Sequence, residues 1–79
     1  MSLDGDKYRF NNWIKYYTHE VSLARLEIRD IENILIGNPD SEILLGGIRY
    51  LEYKVAQYTV IIDDFRRKLA LVEEIEGGD

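Results

Sequence analysis

The residues most able to do chemistry here are one histidine, His19, and two adjacent carboxylates, Asp63-Asp64. A lone imidazole can serve as a general base. However, no Asp or Glu stands three or four residues from His19, so the helical Glu-x-x-His pattern of a di-metal site is absent. With no Cys and no second His, the ligand set of a zinc site cannot be assembled either. Asp63 lies four residues before Arg67, and Asp64 four before Lys68, the orientation that favours ion pairs along a helix surface. The two carboxylates are therefore expected to pair with cations rather than share a proton, and His19 is expected to be solvated.

Other motifs are equally bare. Gly46-Gly47 is not followed by Lys-Ser or Lys-Thr, and no Gly-x-Gly-x-x-Gly occurs, so nothing supports a phosphate-cradling loop. Asp4-Gly5-Asp6 is too short for a calcium loop and reads as a flexible lead-in able to cap a helix. Ser22 and Ser41 have no neighbouring base to activate them. No catalytic, cofactor-binding or metal-binding residue is expected, and enzyme activity is not.

A different chemistry arises if the two ends of the chain meet. Lys7, Arg9, Lys15, Arg66, Arg67 and Lys68 would then gather, six of the ten basic residues, with Tyr8, Phe10, Trp13 and Tyr16 among them. Cations interleaved with aromatics can hold phosphates and stack on bases. Asp4, Asp6, Asp63, Asp64, Glu73, Glu74 and Glu76 crowd the same end and oppose that field. Lys68 could instead lie over the Trp13 ring.

The elements that would bring these ends together are legible from spacing. Phe10, Ile14, Tyr17, Val21, Ala24, Ile28, Ile31 and Leu35 follow one another in alternating steps of four and three. The alternation resumes through Leu44, Ile48, Leu51, Val55, Tyr58, Ile62, Phe65, Leu69 and Val72. That period is the apolar seam of an amphipathic helix, not of a strand. Two long helices are expected, over about 7–36 and 41–75. Between them Gly37 would end the first helix in a left-handed conformation, and Asn38-Pro39 or Asp40-Ser41 would open the second. So short a connection makes neighbouring helices antiparallel. The fold class is all-α: an antiparallel two-helix hairpin, one domain over 1–79, with flexible ends at 1–6 and 76–79.

Pairing seam residues whose numbers add to 79 aligns the two helices. With Ile14 as heptad position a, Glu27 and Lys54 both fall at g on one side, and Arg25 and Glu52 both at e on the other. Each pair is opposite in sign, as antiparallel neighbours require. Gly46-Gly47 breaks the pattern; two Gly inside a helix cost about 2 kcal/mol relative to Ala. Either the second helix starts late or a neighbouring backbone packs close there, and close packing is the reading preferred. Tyr17 and Tyr58 fall in the seam, where each hydroxyl must find a partner or reach solvent; a tyrosine-rich interface is preferred over a ligand pocket.

The flanks of the hairpin are unequal. Trp13, Tyr16, Leu23, Ile34, Tyr50, Ile61, Leu71 and Ile75 occupy g and c positions, whereas e and b hold only Tyr8, Leu45, Ala56 and Ala70. A contiguous apolar patch of that size marks an interface. A second copy across a two-fold axis would cover it and give a four-helix bundle, with another helical protein as the alternative partner. The 79 residues carry a net charge of −5, with 32% charged and 46% hydrophobic. That balance suits a folded chain and disfavours non-specific DNA binding. No apolar run approaches the ~20 residues of a membrane span, and no charged n-region precedes an apolar stretch, so a cytoplasmic protein is expected. The role expected is a non-enzymatic assembly or adaptor module. The alternative is a small regulator touching nucleic acid at the basic–aromatic end.

Overall fold

A computed structural model describes residues 3–77. Its two α-helices, α1 (Asp4–Leu35) and α2 (Glu42–Gly77), pack against each other as a hairpin. Their antiparallel sense is fixed by the ends. Lys7 in the second turn of α1 meets Glu76 at the close of α2, with Nζ 2.9 Å from Oε2. The rod measures 60 × 15 × 14 Å.

At the open end both helices run past their expected limits, while at the turn each stops one residue short of them. α1 takes in Asp4–Asp6, whose carboxylates sit in the first turn where the helix dipole favours negative charge. α2 runs through Glu76 and Gly77, with Glu76 held by Lys7. The expected flexible ends at 1–6 and 76–79 are thus helical over 4–6 and 76–77; residues 1, 2, 78 and 79 lie outside the described residues.

The turn differs from expectation in its backbone. Gly37 is not left-handed: among the described residues no glycine has a positive φ. α1 instead tightens as it ends, with Ile36 still right-handed at φ −55°, ψ −39°. The Gly37 N–H donates to the Ile34 carbonyl at 3.2 Å and the Asn38 N–H to the Leu35 carbonyl at 3.0 Å. The Asn38 amide adds a bond to the Ile34 carbonyl at 3.3 Å, so end carbonyls are satisfied without a left-handed residue. Ser41, rather than Pro39, opens α2. Its carbonyl accepts from the Leu45 N–H at 3.0 Å, and its hydroxyl accepts from the Leu44 N–H at 3.3 Å, the geometry of a capping serine.

Every seam residue is buried or half-buried, with Val21, Ala24, Leu51, Ile62 and Val72 the most enclosed. Contacts across the seam lie within about one turn of the expected sum of 79: Phe10–Phe65, Trp13–Phe65, Tyr17–Tyr58 and Ile31–Gly47 join numbers that add to 75, 78, 75 and 78, so Phe10 meets Phe65 rather than Leu69 and Tyr17 meets Tyr58 rather than Ile62. Gly46-Gly47 lies within α2. A Cβ at position 47 would touch Ile31 Cδ1 at 3.5 Å, an ordinary contact, and one at 46 would meet nothing within 4 Å. The neighbour at Gly47 is thus a side chain, not a backbone.

Two helices make a thin core. Among the described residues no large side chain is fully buried. The radius of gyration is 17.9 Å, against about 12 Å for a globule of this length. The chain exposes 6081 Å², where a compact monomer of its mass exposes about 5,000 Å².

Candidate interaction surface

The g rows of both helices lie on one side of the rod. Glu20 and Lys54, each at a g position, approach to 3.9 Å across the helices. Lys54 was expected opposite Glu27; it turns one heptad along to Glu20 and lies 5.5 Å from the centre of the Tyr58 ring. Among the described residues, Arg25 and Glu52 form no ion pair on the other side. Both are exposed there, where water competes with so long-armed a contact.

Exposure is concentrated on the g/c flank. Among the described residues thirteen large apolar side chains are exposed: eight stand at g or c, three (Leu26, Tyr53, Val60) on the outer f row, and two at b, Tyr8 and also Ile36, which the expected inventory of the e and b rows omits. Of the residues expected on the flank, Trp13, Tyr16, Leu23, Ile34, Tyr50, Leu71 and Ile75 are exposed, from 40% at Leu23 to 65% at Tyr50, while Ile61 is half-buried. Ile43 adds an eighth, 88% exposed. It precedes the first seam residue of α2, so the heptad count begun at Leu44 passed over it.

At the open half of the rod, six rings touch in sequence. Tyr17 and Tyr58 meet edge to face across the seam at 5.0 Å, and Trp13 stacks on Phe65 at 6.3 Å and on Tyr17 at 5.8 Å. Phe10 reaches Phe65 at 6.0 Å, and Tyr16 meets both Trp13 and Tyr17 edge-on. Such tilted and offset pairs each contribute about 0.5–1.5 kcal/mol beyond area burial. Trp13 therefore has one face on its own chain and 43% of its surface open. With Asn12, Tyr16 and Tyr17 it lines a shallow, open depression on the flank. Tyr17 and Tyr58 are half-buried, and no enclosed side-chain oxygen or nitrogen lacks a partner among the described residues. Spacing could place these rings at neighbouring levels but could not show Trp13 leaning over the seam onto Phe65.

Electrostatics at the open end is largely internal. Lys7 binds Glu76 at 2.9 Å, Arg9 binds Asp6 at 2.7 Å, and Lys68 binds Asp64 at 2.9 Å. The hydrogen bond from Lys7 to Glu76, reinforced by the charge of the same carboxylate, holds the Lys7 ammonium above its usual pKa of 10.5. Lys68 lies over the Phe65 ring at 5.4 Å, not over Trp13, and Arg9 over Phe10 at 5.7 Å. Half of the six cations are thus engaged by carboxylates of the same chain; among the described residues Lys15, Arg66 and Arg67 form no ion pair.

The remaining candidates are dispersed. His19 is exposed on the outer face. Asp64 forms the expected pair with Lys68, whereas Asp63 and Arg67, both exposed, form none among the described residues. Among the described residues no three His, Asp or Glu side chains converge as a metal site, and no helix is long and apolar enough to cross a membrane. No protein-family model, curated protein or solved structure matches this chain.

Proposed function

We propose that this protein is a small cytoplasmic assembly module without enzymatic activity, which works by pairing its g/c flank with a second copy to form a four-helix bundle. One observation carries the reading: eight large apolar side chains stand exposed on a single flank of a rod whose own seam buries no large side chain completely. Association would remove that surface from water at about 25 cal/mol per Å². It would give the thin seam a second layer to pack against. Trp13 is the anchor, since an aromatic side chain already held on one face loses little freedom when the other face is covered.

Sedimentation velocity at micromolar concentration tests the reading. The wild-type chain is expected to run as a dimer or higher species. Trp13→Asp or Ile61→Asp shifts it toward monomer, while Lys15→Glu, at a b position on the far side, leaves it associated. A wild-type chain that stays monomeric, or three variants that behave alike, defeats the assignment.

A further inference from the structure

Resting on that self-association, we propose that folding and pairing are a single step: the hairpin is half of a core, and a chain without its second copy does not keep this structure. The protein then responds to its own concentration, unfolded when dilute and a rigid bundle once its copies meet.

The surface area carries the inference. An unfolded chain of this mass exposes about 13,500 Å². The hairpin still exposes 6081 Å², so folding covers about 55% of that surface, where a compact domain of this size covers about 63%. Domains of about 60 residues, already marginal, cover about 60%; this hairpin falls below them. The shortfall is about 1,100 Å² per chain. A face of 60 × 15 Å projects about 900 Å², and a stable interface takes roughly 800 Å² from each partner. One covered flank therefore supplies most of what is missing.

Little else in the chain can stand in for it. No Cys is present to staple the helices. Among the described residues only two ion pairs cross between them, Lys7–Glu76 and Glu20–Lys54, and part-exposed pairs of this kind contribute little. The most enclosed side chains are all aliphatic, and no ring is fully covered. Gly46-Gly47 weakens α2 from within. Helices in proteins are held chiefly by a packed apolar face, and here each has a single neighbour to pack on.

Equilibrium urea unfolding of the full chain is the test, followed by far-ultraviolet circular dichroism at two concentrations. Helix should be lost in one transition, whose midpoint rises by roughly 1–3 M urea for a hundredfold increase in concentration. A midpoint that stays put, together with a dimeric mass in sedimentation, shows a monomer that holds its own fold; the coupling is then overturned while the dimer stands. A monomeric mass, with or without helix, overturns the pairing as well. Two substitutions away from the flank give a second measurement. Ser22 and Thr59 are exposed at b and e positions, and Ser22→Ala with Thr59→Ala favours both helices without touching the g/c rows. The apparent dissociation constant should fall about tenfold, since each dimer carries both changes twice. A monomer already folded would gain as much as the dimer does, so an unchanged constant overturns the inference.

Discussion

At the open end of the hairpin, rings from both helices meet across the seam, whereas toward the turn the seam holds the half-buried aliphatics Ile28, Ile31, Leu35, Leu44 and Ile48, with Gly47 beneath Ile31. The difference follows distance from the covalent connection. Near the turn the chain itself keeps the helices together, and closing a short loop costs little entropy. There small residues and even a Gly pair are tolerated. Some 30–45 Å away, by the helical rise, only non-covalent contact resists splaying. Six rings and the Lys7–Glu76 bridge stand there. The same rings are wide enough to lean out of the seam, which makes the open end both the more strongly held and the more adhesive half.

Truncations at matched seam positions give the sharpest test of this contrast. Phe65→Ala removes a ring touching Phe10, Trp13 and Tyr17 and should cost about 3 kcal/mol in urea unfolding. Ile48→Ala, a half-buried aliphatic near the turn, should cost about 2 kcal/mol. Both are compared at one protein concentration, because association makes stability concentration-dependent. Equal losses would mean that the two halves are held alike.

Additions at the turn end should act in the opposite direction. Gly46→Ala meets open space and Gly47→Ala an ordinary contact with Ile31, so each is expected to raise stability by about 0.5–1 kcal/mol. A loss at Gly46 would show that backbone freedom, not mere tolerance, keeps glycine there.

The smallest effect belongs to the ion pair at the open tip. Because the folded-state pKa of Lys7 is raised, its contribution is complete below the unfolded value near 10.5 and disappears as pH climbs through the folded value. In an NMR titration Lys7 Cε should turn over at lower pH once Glu76→Gln removes the partner carboxylate. Coincident titrations of Lys7 in parent and variant would mean that the bridge does not form in solution.

Much of the architecture could be read before any coordinates. The unbroken four–three alternation from Phe10 to Leu35 and from Leu44 to Val72 defines which stripe of each helix is apolar, and the helical period converts that stripe directly into a face. The antiparallel sense followed from the short connection, and the register from matching the two seams, though only to within about one turn. Helix limits were less legible, because the ends depend on single interactions: Ser41 against Leu44, and Lys7 against Glu76. Gly37 was expected to be left-handed because that is the commonest use of glycine after a helix. The Asn38 side-chain amide instead donates to the Ile34 carbonyl, an arrangement which no local propensity encodes.

For the candidate surface the division is similar. The inequality of the two flanks was already present in residue order, since a heptad position determines which way a side chain leaves its helix. Which residues on that flank are covered, and by what, required the second helix in place. Ile61 is half-buried while Ile43 is almost bare, and Lys54 chooses Glu20 over Glu27. Lys68 takes Phe65 rather than Trp13. Those choices are made among side chains on different helices, a few ångströms apart in space and dozens of residues apart in sequence. Periodicity alone determined the direction in which each side chain points; only packing decided what it meets there.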